Sequence, residues 1–295
     1  MVASANTSLS LNNLWTLKFW VWLAVVLLLL PSCGVKTVYN HLDLLIPWYV
    51  EDYITLNDQQ QAELEKRLAS VIKWHRTTQL AQYSAFMRKT SAEIHNGVTE
   101  QELDDALAEV DKSWHTLISK IAPELVDILL TANDDQKKEL FDNIKKRNDE
   151  FKKDYLDLSE QQRIEDRVEA MQKNFKRWLG SLSEQQRSII KHYASNFIPI
   201  HKDRWLFRLR WQNELRTLLN KDPAKPQVRE SLEKLFIDMQ AMYPPEYRQK
   251  RDVNKKLIIE MILKLGGTFN KAQLDYLFDR IESYAKTFEE LSVQI

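Results

Sequence analysis

The chain has 295 residues with 42 Lys+Arg against 42 Asp+Glu, and this composition excludes several classes of protein. A single cysteine rules out a disulfide scaffold and a multi-cysteine metal site. The balanced charge removes the electrostatic case for a nucleic-acid ligand. A hydrophobic fraction of 44% is too high for a disordered chain and too low for a polytopic membrane protein.

The first predicted element is an apolar run from Phe19 to Leu30, preceded by Lys18, the one charged residue among the first 32. A helix of this length rises about 18 Å, whereas the hydrocarbon of a bilayer is about 30 Å thick. We therefore interpret the run as the h-region of a signal peptide covering residues 1–32. The alternative is an uncleaved membrane anchor.

The residues Leu30-Pro31-Ser32-Cys33-Gly34 follow directly and resemble a bacterial lipobox, whose cysteine is lipidated and becomes the first residue of the mature protein. The resemblance implies a lipid anchor at Cys33. Each buried methylene of an acyl chain such as palmitate contributes about 0.8 kcal/mol, so several chains anchor a protein stably. Lipobox proteins with Asp after the cysteine tend to stay at the inner membrane. Gly34 thus implies an outer-membrane lipoprotein that faces the periplasm.

The mature chain repeats one helix-start pattern, in which a capping residue is followed three positions later by Gln or Glu. The six pairs are Asn57/Gln60, Thr99/Glu102, Asn133/Gln136, Ser159/Gln162, Ser183/Gln186 and Asn270/Gln273. Apolar residues in steps of three and four follow each start, as in Leu103, Leu107, Val110, Trp114, Leu117 and Ile121. We predict an all-α fold of about ten helices in antiparallel hairpins, forming one domain over residues 33–295.

Glycines and prolines predict where these helices begin and end. The first would cover about 58–95 and measure about 57 Å if unbroken. Helix ends are expected at Gly97, Gly180 and Gly266-Gly267, and first-turn positions at Pro123, Pro199, Pro226 and Pro245. Pro47 predicts a turn followed by a short helix. For the segment Leu44–Val50 we favour packing against the bundle, with contact to the membrane surface as the alternative.

Two resemblances accompany these elements. The motif Tyr39-Asn40-x-x-Asp43-x-x-Ile46-Pro47-Trp48-Tyr49-x-x-Asp52-Tyr53, placed after the lipobox, is similar to the opening of a family of uncharacterised proteobacterial lipoproteins. Later motifs appear in the expected order: Trp74-His75-Arg76, Asn148-x-x-Phe151, Tyr155-Leu156-Asp157-Leu158, Arg177-Trp178-Leu179 and Pro245-Glu246-Tyr247-Arg248. That family has a domain of unknown function, so the resemblance implies fold and location and no chemistry.

The second resemblance is local and concerns the segments Leu56-Asn57-x-x-Gln60, Leu158-Ser159-x-x-Gln162 and Leu182-Ser183-x-x-Gln186. They are similar to the Leu-Thr-x-x-Gln repeats of Spy-like periplasmic chaperones, which are small helical proteins with a concave client-binding face. Here Ser or Asn replaces Thr in all three. A capping box after a hydrophobic residue also arises wherever a helix begins.

No residue pattern predicts a catalytic, metal or cofactor site. The six histidines lack His-x-x-x-His and Glu-x-x-His spacings, and no nucleophile elbow, phosphate loop or Rossmann fingerprint is present. The segment from Lys202 to Trp211 is the most distinctive, since basic and aromatic residues alternate in it. It predicts a possible binding surface at Arg204, Trp205, Arg208 and Trp211. The competing interpretation is a core helix in which Trp205, Leu209 and their neighbours pack inward while the arginines meet Glu and Asp of adjacent helices.

These observations favour a non-enzymatic, lipid-anchored envelope protein that contacts the membrane through its anchor and binds an envelope protein or supports envelope assembly. A periplasmic holdase is the first alternative. A hydrolase with a site assembled between helices is the second.

Overall fold

The computed structural model describes residues 32–294, and these residues form α-helices without a strand among them. The helices in chain order are α1 Ser32–Tyr39, α2 Leu42–Glu51, α3 Asp58–Thr78, α4 Leu80–Asn96, α5 Glu100–Leu129, α6 Asp134–Phe151, α7 Glu160–Leu179, α8 Glu184–Ser195, α9 His201–Leu219, α10 Pro226–Ile237, α11 Pro245–Gly266 and α12 Lys271–Ser292. A π-helical turn, Lys152–Leu156, extends α6, and a 3₁₀ turn, Met239–Met242, follows α10. The predicted all-α bundle is confirmed.

All six predicted capping boxes are formed. At each one the cap side chain accepts a hydrogen bond from the N3 amide, and the N3 side chain accepts one from the cap amide. Pro226 and Pro245 occupy first-turn positions as predicted. Gly97 and Gly180 close their helices with φ of 91° and 75°, a region that favours glycine.

Four predicted boundaries are wrong. The predicted first helix is divided at Gln79 into α3 and α4. Pro123 lies inside α5 instead of starting a new helix, and Pro47 lies inside α2. Proline removes one backbone hydrogen bond from a helix, yet both helices continue, and the residue before each proline, Ala122 or Ile46, is buried. Pro199 precedes α9 without entering it.

The apolar core has three main parts. The first joins the end of α5 to α6, α9 and α10, the second joins α1 and α2 to α3, α4 and α12, and the third joins α7 and α8 to α11 and α12. In the second part the Tyr39 hydroxyl and His75 Nδ1 lie 2.9 Å apart. Burial there lowers the pKa of His75 to about 4, because a charged imidazole would lose its hydration.

Two of the six capping boxes are joined by their glutamine side chains. Gln60 Nε2 donates to Gln136 Oε1 over 3.2 Å, and Gln136 Nε2 donates back to Gln60 Oε1 over 2.7 Å. Gln60 also donates to Thr131 Oγ1, and Gln136 to the Thr55 carbonyl. This first clasp connects the start of α3 to the start of α6, directly after α5 ends. Both glutamines are buried.

A second clasp repeats this arrangement. Its two glutamines lie 87 residues apart in the sequence, whereas those of the first clasp lie 76 residues apart. Gln186 and Gln273 exchange hydrogen bonds of 3.0 and 2.9 Å, while Gln186 contacts Thr268 and Gln273 contacts the Ser181 carbonyl. In both clasps, each glutamine also contacts one residue outside the pair, and that residue stands five positions before the other glutamine in the sequence. We infer that the fold uses the same helix-start pair twice, at α3/α6 and at α8/α12. The capping boxes of Thr99 and Ser159 remain exposed and unclasped.

None of the described helices is both long enough and apolar enough to cross a membrane. The predicted signal peptide, residues 1–32, lies outside the described residues except for Ser32. Cys33 lies at the second position of α1, and Val35 two residues later is fully buried.

Candidate functional site

A groove of about 520 Å³ runs along one side of α5, opposite α9 and the turn that follows α10. Its volume falls within the range of about 300–1,000 Å³ that is usual for ligand sites. The lining side chains on α5 succeed one another on one helix face: Asp111, Lys112, Trp114, His115, Ile118, Ile121, Ala122 and Leu125. The opposite side of the groove is lined by Tyr49, Trp211 and residues 236–241.

Trp114, Ile118, Trp211 and Phe236 form the apolar floor of the groove, and contacts within the protein hold two of these rings in place. The Trp211 indole N–H donates to the Leu235 carbonyl over 2.9 Å, and the Phe236 ring packs edge-on against Trp211 at 5.3 Å. Both rings are half-buried and line the same groove as Trp114 and Ile118. The floor is therefore preorganised, which lowers the entropic cost of binding an apolar ligand.

Polar side chains border this floor. His115, Lys112 and Asp111 stand on the α5 side, and Asp238 and Gln240 stand on the opposite side. All of them are exposed. An apolar centre with a polar border is the usual anatomy of a surface that binds a protein segment.

A polar core lies behind the groove wall and fixes α9 against α6. Arg208 is buried, and its Nη2 donates to Asn148 Oδ1 over 2.9 Å. Asn148 in turn donates to Gln212 Oε1 over 2.6 Å. The guanidinium also lies 4.8 Å from the centre of the Phe151 ring, a cation–π distance. Burial, reinforced by the neighbouring Arg204, lowers the pKa of Arg208 to about 10.

The comparisons with known proteins identify the chain at the level of a family. A family model described as "Family of unknown function (DUF6279)" matches residues 52–248, which include α5, α9 and most of the groove lining. The chain belongs to this family. Searches of curated proteins and of solved structures found no significant match.

Within the DUF6279 segment, the structure brings the four predicted site residues into one helix but not onto one surface. Arg204 and Trp205 are half-buried on the Phe151 ring, which Trp205 stacks upon at 6.0 Å. Arg208 lies in the polar core, and Trp211 lines the groove. The exposed side of α9 is formed by Leu206, Leu209 and Arg210 instead. Of the predicted surface, only Trp211 reaches the groove of this family member.

The alternative interpretation of α9 as a core helix is correct for Phe207 and incomplete for the arginines. Leu209, which was expected to pack inward, is exposed. Arg208 donates to an amide oxygen and lies over an aromatic ring, where a carboxylate partner was expected. The alternation of basic and aromatic residues does not reveal which of these side chains is buried. Both types can cover an apolar surface, the arginines with their aliphatic atoms and the aromatic residues with their rings.

Sequence reasoning missed the groove because it treated the α5 apolar residues as a packed stripe. None of residues 100–121 is buried, whereas Ala122, Val126, Ile128 and Leu129 are. The signal available in the sequence was the absence of a glycine or a capping box between Thr99 and Asn133, which leaves room for one long helix. α5 has 30 residues and rises about 45 Å, longer than the helices α6 and α10 beside it.

Among residues 32–294 no group of three or more His, Cys, Asp or Glu is arranged to hold a metal ion. His115 Nδ1 and Ser119 Oγ lie 3.4 Å apart at the groove edge, one helical turn from each other. That distance exceeds the usual range for a nucleophile and its base, about 2.6–3.2 Å.

Proposed function

We propose that the protein is a lipid-anchored component of the cell envelope, sorted to the outer membrane, that binds another envelope polypeptide through the α5 groove. The open apolar floor between Trp114, Ile118 and Trp211 carries this proposal. The role is non-catalytic and uses no cofactor. Membrane attachment comes from the lipid on Cys33, as the lipobox resemblance implies.

The groove supports a polypeptide ligand because of its shape and composition. It is elongated along α5, apolar in the middle and polar along both edges, so it suits the apolar face of a helix or an extended segment. Aromatic anchors such as Trp114, Trp211 and Phe236 are the side chains most often responsible for binding energy at protein interfaces. The exposed polar border would make hydrogen bonds with the same segment.

A variant of the groove floor tests the binding role. Ile118→Asp places a charge where an apolar ligand would lie, and Val110→Asp makes the same change on α5 outside the groove lining. In pull-downs from crosslinked envelopes, we expect wild type and Val110→Asp to recover the same partner and Ile118→Asp to lose it at least tenfold. Equal recovery with both variants, or no reproducible partner with wild type, would overturn the proposal.

The lipid anchor has its own test. Cys33→Ala should abolish labelling by a radioactive fatty acid and release the protein from the membrane fraction. Membrane retention of Cys33→Ala, together with no labelling of the wild type, would instead support the uncleaved anchor.

A holdase is the second candidate, and one observation favours it. The apolar residues of α5 continue beyond the groove to Val110, which is 53% exposed. A broad apolar face suits many unfolded clients better than it suits one partner. Vesicles that carry the full chain should then suppress light scattering by an aggregating client protein. Scattering equal to that with empty vesicles would reject this alternative.

A further inference from the structure

α2 presents an apolar face that no described residue covers. Leu44 is 52% exposed and Trp48 is 65% exposed, although both are large apolar side chains. They stand one helical turn apart and therefore share a face. Leu42 and Ile46 are buried on the opposite side of the same helix, and Pro47 is buried on its flank. The exposed pair is thus held outward by a firmly packed helix.

α1 leaves no flexible linker between the proposed anchor and this face. Val35 and Tyr39 are buried in the core, and Lys36 Nζ forms an ion pair with Glu290 of α12 at 2.9 Å. Arg76 of α3 also contacts Asn40 just after α1. The folded body therefore begins within the first turn after Cys33.

The chain length between anchor and face limits their separation. α1 rises about 1.5 Å per residue, and the turn at residues 40–41 adds at most about 3.8 Å per residue. The backbone of Leu44 consequently lies within about 25 Å of Cys33. That distance is smaller than one bilayer thickness of about 40 Å with its headgroups.

We propose that the Leu44–Trp48 face of α2 lies in the headgroup region of the membrane that holds the anchor. This inference rests on the membrane anchor of the proposed function and is independent of the groove. Tryptophan prefers the membrane interface because its ring is apolar and its indole N–H is polar. A helix with one apolar face outward and the other packed on a core binds such an interface in its plane.

The charges of α2 indicate that this contact is apolar and not electrostatic. Asp43 lies about 100° around the helix from Leu44, and Glu51 stands at the end of the exposed face. Asp52, the next acid, pairs with Arg147 at 3.1 Å and is thereby neutralised. Anionic lipid therefore gains no cationic partner on α2, and we expect added salt to leave the contact unchanged or to strengthen it by screening the acids from the lipid.

Quenching by brominated lipid tests this placement. Full-length protein is reconstituted in phosphatidylethanolamine/phosphatidylglycerol vesicles with plain or brominated acyl chains, and tryptophan emission is compared. Trp48→Phe should remove the larger part of the quenched emission. Trp205→Phe is the matched control, because Trp205 is half-buried against Phe151. Tryptophans before Cys33, when the segment is retained, are common to all variants and cancel in the difference.

Two results would overturn the inference. The first is a quenching ratio in Trp48→Phe equal to that of wild type. The second is free quenching of Trp48 by aqueous iodide in the vesicles, which would leave a protein partner as the occupant of this face. Failure of the anchor itself is distinguishable, because it appears as loss of the membrane fraction for wild type.

Discussion

The dipeptide Trp-His occurs on two long helices. Its histidine packs against neighbouring side chains in one copy and is exposed in the other. On α3, His75 of the Trp74-His75 pair belongs to the packed side of the molecule, where it lies 2.9 Å from the Tyr39 hydroxyl and edge-on to the Tyr83 ring. Trp114-His115 on α5 belongs to the groove, where His115 is exposed at its edge. Local sequence is the same, so the packing of neighbouring helices alone decides which copy is closed.

This contrast between a closed and an open copy recurs at two further places. Val126 and Val110 lie on the same helix, 0% and 53% exposed. Gln136 and Gln162 both complete capping boxes, but only Gln136 belongs to a clasp. Each pair allows one substitution to be made in a closed and an open setting. The difference isolates tertiary packing from local propensity.

Lowering the pH should give the largest change in the free energy of unfolding, because burial keeps His75 as a neutral ring. The folded state keeps this ring neutral with a pKa of about 4, whereas the unfolded chain takes up a proton below about pH 6.5. Stability is therefore full above pH 6.5 and is lost as the pH falls toward 4, by on the order of 3 kcal/mol. Urea unfolding at several pH values measures it. His75→Gln should flatten this dependence, and His115→Gln should leave it unchanged; equal slopes in both variants would contradict the account.

Truncation of the α5 valines should give the next largest difference. Val126→Ala removes two buried methyl groups, each worth about 0.8 kcal/mol, and leaves a cavity, so we expect a loss of about 2 kcal/mol. Val110→Ala should change the free energy of unfolding by less than about 0.5 kcal/mol. Chemical denaturation of both variants gives the comparison. Similar losses would show that the two halves of α5 are packed alike.

The clasp should contribute a smaller amount beyond an ordinary cap. Gln136→Ala leaves the buried Gln60 amide without its reciprocal partner, which costs about 1–2 kcal/mol. Gln162→Ala removes a solvent-exposed cap interaction only, for which about 0.5 kcal/mol is expected. A double-mutant cycle between Gln60 and Gln136 measures the coupling directly. Coupling near zero would mean that the clasp is only two independent caps.

The parts of this fold that could be predicted from sequence are those set by neighbouring residues. The boxes at Asn57 and Ser183 depend on side chains three positions away, and all six form. The joining of Gln60 to Gln136 depends on residues 76 apart, which no local pattern reveals. The same limit explains Arg208, whose burial depends on Asn148 from α6. It also explains why the apolar stripe ending at Ile121 correctly predicted a helix and gave no sign of an open groove.

The smallest effect on stability should accompany the largest effect on function. Trp114→Ala removes a half-buried ring from the groove wall, so we expect little change in unfolding and a marked loss of partner recovery. Trp178→Ala is the matched control with the opposite expectation, because the Trp178 ring is half-buried against two parts of the apolar core and lies 5.4 Å from the Tyr284 ring. Recovery and thermal unfolding measured on the same preparations give both quantities. Partner loss in proportion to destabilisation would assign Trp114 a purely structural role.

The central claim is that the groove along α5 is occupied by another polypeptide in the envelope. A photo-crosslinking amino acid at position 118, within the groove, tests it directly, with position 110 on the same helix as the control. After irradiation of living cells, we predict one discrete protein adduct at position 118 and none at position 110. A ladder of adducts at both positions would support a holdase, and no adduct at 118 would contradict the claim.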